Sequence, residues 1–507
     1  MESLVDGFGV ALSAQNLLFV FLGVLLGTII GVIPGLGPTA GIAILLPLTF
    51  GLPPETAIIM LAGVFYGSQY GGSTTSILLN LPGEATSVVT AIDGHEMAKQ
   101  GRAGAALGIS AIGSFIAGTC AVVGLMVVTP LLVQVALEFG PHEFFGLMLL
   151  GLTMVAYLAG GSLSKAVLMA LVGLMLATIG ADPVTGTTRF AFGNLNLIDG
   201  VAFLPVVTGL FAFSEVLISF GSSVSTEPIR TRFRELWPSV ADVKESIGAI
   251  FRGTGIGFVL GALPGAGVLV STFLSYGLEK RISKNPKKFG KGAIQGVAGP
   301  ESANNAAAGS ALVPLLALGI PSSVVTALML GALILHGMRP GPALIADNPD
   351  FFWALVASLY IGNAVLLALN LPLVGVFASM LRVPYRILWP IIMMFSLVGV
   401  FAAGQSVFDL GVFVFFGVLG WVLRLNDYPL APLVLAMVLG PFLERSLGQA
   451  LIISNGDLLD FLRRPISAVM LGLALAVVVS SAFLFAKERR KERGGLGELL
   501  HEVHQDE

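Results

Sequence analysis

Apolar residues run along this chain in stretches of about 20, the length an α-helix needs to cross the hydrocarbon core of a bilayer, and polar residues collect between them. Read in order, the stretches predict an all-α polytopic membrane protein with about 11 crossings and two re-entrant hairpins. Residues 16–50 form two apolar pieces broken at Pro34-Gly35, and 56–91 form a second segment broken at Pro82. Crossings follow at about 104–129, 142–160, 164–181 and 200–221. The second half repeats the programme: 253–278 is broken at Pro264-Gly265, 299–336 is broken at Pro321, and crossings follow at about 353–380, 388–403, 408–424 and 429–442. The predicted organisation is a first repeat (1–221), a basic linker (222–252), a second repeat (253–464), a final helix (465–486) and a charged tail (487–507).

Composition sharpens this into a membrane protein. Of 507 residues 55% are hydrophobic and 11% charged, with a mean hydropathy of +0.91, whereas soluble chains carry about 25% charged residues. The net charge of −3 offers no basic face for nucleic acid. The single cysteine, Cys120, excludes an internal disulfide.

The few charges report topology. No Lys or Arg occurs before Lys99, while residues 222–300 carry 11 of the 27, including Arg230, Arg232, Arg234, Lys244 and Arg252. Basic loops stay cytoplasmic, which predicts a periplasmic N-terminus and a cytoplasmic tail bearing Lys487, Arg489, Arg490, Lys491 and Arg493. The stretch broken at Pro264-Gly265 lies between two basic loops, so it enters and leaves on the same side, and the second repeat is predicted to be inverted relative to the first. The loop after 442 mixes Glu444, Arg445, Asp457, Asp460, Arg463 and Arg464 and gives no sign bias.

Two local identities link the halves: Gly31-Val-Ile-Pro34-Gly35-Leu-Gly37 matches Gly261-Ala-Leu-Pro264-Gly265-Ala-Gly267, and Ser87-Val-Val-Thr-Ala91 matches Ser323-Val-Val-Thr-Ala327. Paired Gly/Pro breaks in inverted halves point to the binding site of a secondary transporter. Backbone groups freed inside a bilayer must be paired, so breaks belong where protein, water or ligand lines them. Helix starts after Gly35, Gly37, Gly265 and Gly267 would offer N–H groups to a carboxylate.

The second break in each half is more polar. Tyr66-Gly-Ser-Gln-Tyr-Gly-Gly-Ser-Thr-Thr-Ser76 precedes Asn80, and Gly299-Pro-Glu-Ser-Ala-Asn-Asn305 precedes Ile320-Pro321-Ser322. Ser73, Thr74 and Asn80 are predicted to face Ser302, Asn304 and Asn305, with Ser322 nearby, as ligands for a carboxylate substrate and a coupling ion. Asn80, Asn305 and Glu301 are the coupling-ion candidates, since an intramembrane acid suits a cation site or a proton carrier.

At these runs the chain resembles the large membrane subunit of the tripartite tricarboxylate transporters, the TctA family. The resemblance rests on Pro34-Gly-Leu-Gly-Pro38, Tyr70-Gly-Gly-Ser-Thr-Thr-Ser-Ile-Leu-Leu-Asn80-Leu-Pro-Gly-Glu84, Pro264-Gly-Ala-Gly267 and Gly299-Pro-Glu-Ser-Ala-Asn-Asn305 with Leu318-Gly-Ile-Pro321, and covers roughly 15–440. It implies an elevator-type permease of the bacterial inner membrane, a small four-helix membrane subunit and a periplasmic solute-binding protein as partners, and carboxylate uptake driven by a Na⁺ or H⁺ gradient without another cofactor. Pro-Gly-Ala-Gly267 lacks the second proline of its first-half counterpart.

Other residues fit simpler roles. Asp93 and His95 are predicted in the inner loop with Lys99, solvated; Glu215 near the inner end of its helix; His336 as an interfacial or capping residue; His501 and His504 in the tail. Walker A, His-Glu-x-x-His and Gly-x-Ser-x-Gly patterns are absent. An organic-anion channel or a membrane-embedded enzyme are the alternatives, the enzyme lacking an evident acid/base set.

Overall fold

The computed structural model describes residues 2–33, 35–158, 162–219, 236–263, 265, 267–380 and 385–480. Pro34, Pro264, Arg230, Arg232, Arg234, both tail histidines and the basic tail itself lie outside the described residues.

The chain opens with α1 (Glu2–Ala11), then α2 (Ala14–Val32), α3 (Gly37–Leu45), α4 (Pro54–Leu79), α5 (Val88–Met97) and α6 (Ala103–Ala136). Next come α7 (Pro141–Leu158), α8 (Leu163–Ala177), a two-stranded antiparallel ribbon β1 (Gly180–Ala181) and β2 (Thr188–Arg189), then α9 (Phe203–Thr208) and α10 (Ser214–Ser219), joined by one turn of π-helix. The later chain forms α11 (Val240–Gly261), α12 (Gly267–Ile282), α13 (Gln295–Ser310), α14 (Leu312–Leu318), α15 (Val324–Leu335), α16 (Pro342–Asp347) and α17 (Pro349–Asn370). It ends with α18 (Val374–Met380), α19 (Tyr385–Gly404), α20 (Val407–Leu425), α21 (Leu430–Ile453), α22 (Asp460–Arg463) and α23 (Pro465–Ser480).

Among the described residues, six helices are long and apolar enough to cross a bilayer: Ala14–Val32, Ala85–Ala136, Pro349–Asn370, Ile387–Gly404, Val407–Leu425 and Leu430–Ile453. The protein is therefore a multi-pass membrane protein. α4 has the length, 26 residues or about 39 Å, but its Ser, Thr, Gln and Gly run makes it too polar to be recognised by composition. Some boundaries differ from the pattern's expectation. α6 continues through Pro130 to Ala136, and its C-terminal portion exposes the apolar side chains of Val127, Val128, Leu131 and Val135. α21 likewise continues through Pro441, which carries Glu444 and Arg445 into a helix, and 353–380 is two helices, α17 and α18.

One compact unit comprises Met1–Glu138 and Val201–Asn426. Its centre is built from two pairings, α2 on α4 and α11 on α13. Both use glycine at every fourth position, so that one helix backbone lies on the next. A Cβ at Gly23, Gly27 or Gly31 would strike the carbonyls of Met60, Val64 or Ser68, and one at Gly253, Gly257 or Gly261 would strike those of Gly299, Ala303 or Ala307. Small-residue spacing of this kind lets membrane helices approach closely and gain dispersion contacts.

The breaks are equally ordered. α4 ends at Asn80 and α14 at Gly319, each a left-handed cap (φ 58° and 71°), and two residues later Pro82 and Pro321 prevent continuation. The two Ser-Val-Val-Thr-Ala runs then open α5 and α15. Ser323 caps α15 reciprocally with Thr326, and Glu84 does so with Ser87 in the short turn before α5.

The second unit comprises Phe139–Gly200 and Asp427–Glu507. Here α7, α8 and α21 pack together, with Gly173 against the Leu433 carbonyl. Arg189, from the ribbon, donates through Nη1 and Nη2 to Glu444 at 2.6 and 2.9 Å and pairs with Asp182 at 3.3 Å. Glu444, in the stretch without charge bias, is thus a ligand of Arg189 within the fold, and Arg463 and Arg464 pair there with Asp457 and Asp460.

Asp93 corrects its expected role as a solvated loop carboxylate. It sits on α5 with no exposed surface; Oδ1 accepts the N–H groups of Gly290, Gly292 and Ala293, each at 2.8 Å, and Oδ2 accepts Tyr276 Oη at 2.9 Å. Successive backbone N–H groups form an anion nest, so the residue ties α5 to α12 and to the turn that leads into α13. Asp93→Ala would orphan these donors at a cost of about 3 kcal/mol, and hydrogen exchange at amides 290, 292 and 293 should accelerate about 100-fold. Unchanged exchange there would rule out the tie.

Candidate functional site

The two polar runs meet inside the first unit, where α4 crosses α13. Along the crossing the numbering runs in opposite senses: the Tyr66 hydroxyl lies 2.6 Å from where a Cβ of Gly309 would stand, while Ser73 reaches Glu301. Both segments are buried throughout. Their Gly, Ala, Ser and Asn content makes this possible, since bulkier residues could not bring polar side chains from two helices so near each other.

Glu301 lies within α13, one residue after Pro300, with no exposed surface. Ser73 Oγ donates to its Oε2 at 2.5 Å, and the Thr90 hydroxyl donates to its Oε1. α5 thus closes the site from the far side of the break at Pro82. Asn305 Nδ2 donates to Ser114 Oγ at 2.7 Å and to the Glu301 main-chain carbonyl at 3.1 Å. Its Oδ1 has no partner, although the residue is 1% exposed.

Glu84 forms a neighbouring cluster. Asn304 Nδ2 donates to its Oε1 at 3.0 Å, and Gln69, with its amide nitrogen turned to the carboxylate, donates to both oxygens. Gly72 leaves room for it; a Cβ there would come within 2.8 Å of Glu84 Cγ. Asn304 Oδ1 is also without a partner at 0% exposure. None of the described Lys, Arg or His side chains forms an ion pair with Glu84 or Glu301.

The structure therefore gathers Ser73, Glu301, Asn304 and Asn305, and adds Gln69, Glu84, Thr90 and Ser114. Thr74 is buried beside Ser73 on α4. Ser302 is buried too, but its hydroxyl donates to the Ala298 carbonyl of its own helix at 2.8 Å, so it does not face the first-half run. Asn80 is exposed and holds the left-handed cap of α4. Of the added residues, Gln69 and Thr90 stand within the polar run and the repeated Ser-Val-Val-Thr-Ala, whereas nothing in the sequence singles out Ser114.

The glycines of the hairpin tips lie elsewhere. Gly265 (φ 117°) donates its N–H to the Ser322 carbonyl at 2.8 Å, which joins the α11–α12 tip to the break before α15; the Ser322 hydroxyl donates to Ala311 O at 3.4 Å. Gly267 begins α12 against the Leu260 carbonyl. Gly35 (φ 89°) lies beside Glu215 and Gly37 (φ 57°) begins α3. Glu215 is 6% exposed and accepts Arg424 Nη1 at 2.5 Å. His336 caps α15 and contacts Thr49 Oγ1 at 3.2 Å. Among the described residues no group of three or more His, Cys, Asp or Glu side chains is arranged to hold a metal ion.

Chemically, the crossing is an acceptor-rich, buried site. Two carboxylates and two orphaned amide oxygens suit a proton or a hard monovalent cation. An ionised carboxylate taken from water without a positive partner costs several kcal/mol. A substrate anion placed there would add repulsion of about 4 kcal/mol per charge pair at 4 Å.

A family model described as "Tripartite tricarboxylate transporter TctA family" matches residues 17–435. The chain is similar to the "Uncharacterized 52.8 kDa protein in TAR-I ttuC' 3'region" of Agrobacterium vitis, 48% identical over 491 residues, 97% of this chain and 98% of the relative. It is also 48% identical over 237 residues to the "Uncharacterized protein in TAR-II ttuC' 3'region" of the same organism, 46% of this chain and 98% of that relative. No solved structure matches it.

Proposed function

The chain belongs to the tripartite tricarboxylate transporter TctA family, and from that membership we propose that it is the large permease subunit of a binding-protein-dependent secondary transporter. It imports a tricarboxylate- or dicarboxylate-like solute on a Na⁺ or H⁺ gradient, together with a small four-helix membrane subunit and a periplasmic solute-binding protein. It resides in the bacterial inner membrane, with its N-terminus periplasmic and its C-terminus cytoplasmic.

The observation that carries this reading is the buried crossing of α4 and α13, where Glu301 has hydroxyl partners but no cationic one. The coupling cation is held by Glu301, with Ser73, Thr90 and the free Asn305 oxygen around it. The substrate carboxylates bind apart from that charge, at the helix starts and glycine-permitted backbone of the breaks: Gly35, Gly37, Gly265, Gly267 and Ser322. Transport then moves the four break regions as a block against the remaining helices.

Inverted repeats are supported by the equivalent glycine stripes, the paired left-handed caps at Asn80 and Gly319, and the opposite numbering along the α4–α13 crossing. Radiolabelled citrate, tartrate, a dicarboxylate and an aromatic carboxylate should be offered to proteoliposomes containing the chain, its small subunit and candidate binding proteins, under imposed Na⁺ or H⁺ gradients. Saturable uptake of one of them, driven by one gradient, is expected. Non-saturating flux independent of either gradient would mean a channel instead.

A further inference from the structure

Glu84 is a second buried carboxylate that the proposed cycle leaves unused. It is 8% exposed, opens the turn after the break at Pro82 and lies over Gly72. Its donors are all neutral: the amides of Asn304 and Gln69 and the main-chain N–H of Ser87. Amide donors supply partial charges but leave a net charge of one on an ionised carboxylate, and that burial is costly without an opposite charge.

The second observation comes from the partner. Asn304 gives its Nδ2 to Glu84, yet its Oδ1, on a residue with no exposed surface, accepts nothing. An orphaned amide oxygen costs about 1–3 kcal/mol. Carboxylate and amide oxygens together are ligands for a hard cation. A proton on Glu84 would remove the same charge, and Gln69 could accept from it through its own oxygen by turning its amide.

The helix explains why there are two seats rather than one. Asn304 and Asn305 are adjacent, so their side chains diverge by about 100° around α13. Asn304 reaches Glu84, while Asn305 reaches Ser114 and the Glu301 carbonyl. One turn of α13 thereby serves both carboxylates.

We propose that Glu84, Gln69 and Asn304 form a second seat for a single positive charge, H⁺ or Na⁺, separate from that at Glu301, so that each cycle carries two. The inference rests on the transport reading above and deepens it. A dianionic substrate would then cross as a neutral set, and a trianion would carry one net negative charge.

The test counts charges on the full chain in lipid nanodiscs. Bound ²²Na⁺ is measured by equilibrium dialysis, and protonated buried carboxyls by the infrared carbonyl bands that shift in D₂O. The two counts are expected to total two in the parent and one in each of Glu84→Gln and Glu301→Gln. Asn304→Ala keeps both carboxylates and should weaken one of two sites about tenfold. It tests the seat even if Glu84→Gln fails to fold. A total unchanged in Glu84→Gln, or a parent total of one that Glu301→Gln removes, overturns the second seat and leaves the coupling role of Glu301 standing; a parent total of one that Glu84→Gln removes overturns the two-seat proposal and the role of Glu301 together. A parent total of zero overturns both.

Discussion

Replacing Glu301 with glutamine is expected to abolish gradient-driven accumulation of substrate while the protein still folds. Glutamine keeps the volume of glutamate, offers one of the two hydroxyls its amide oxygen and donates its amide N–H to the other, which turns to accept, so the packing of α4, α5 and α13 is retained. What disappears is the charge. Withdrawing a charged partner costs about 3 kcal/mol, so the apparent affinity for the coupling cation should fall about 100-fold. Glu301→Asp keeps the charge but is one methylene too short to hold both hydroxyls, and an intermediate loss is expected. The measurement is the initial rate of uptake against Na⁺ or H⁺ concentration, alongside exchange of labelled for unlabelled substrate without a gradient. An unchanged cation dependence in Glu301→Gln would remove Glu301 from coupling.

The long apolar runs made most helices legible, because lipid-facing segments announce themselves by length. The broken segments were legible for another reason. Pro82 and Pro321, unlike Pro130 and Pro441 inside their helices, each stand two residues after an Asn or Gly that takes the left-handed cap, and the repeated Ser-Val-Val-Thr-Ala marks where each half-helix resumes. Helical phase was not legible. Depth alone paired Ser302 with the first-half run, but its hydroxyl satisfies itself on Ala298 one turn back, as Ser and Thr often do in apolar helices. Asp93 could not be read either, because three of its four donors are backbone N–H groups nearly 200 residues away, which carry no side-chain signature, and the fourth is the Tyr276 hydroxyl on another helix.

The glycine stripes make the sharpest prediction about the fold. Gly257 lies on α11 with the Ala303 backbone directly over it, whereas Gly255, two residues away on the exposed face, has nothing within 4 Å of a Cβ. Backbone cannot move aside as a side chain can, so Gly257→Val should force α11 from α13 at a cost of about 3 kcal/mol. Gly255→Ala should instead gain about 0.5–1 kcal/mol, since glycine is the poorer helix former. Thermal unfolding in detergent, followed by size-exclusion fluorescence, reads both signs in one experiment. Gly27, which meets Val64 as Gly257 meets Ala303, should give the same loss when changed to valine. Equal losses at Gly27 and Gly257 are what two copies of one packing unit require, because each would part the same helix pair at the same level below its break. A large cost at one and none at the other would mean that the two stripes only look alike and that the halves are held together by different contacts.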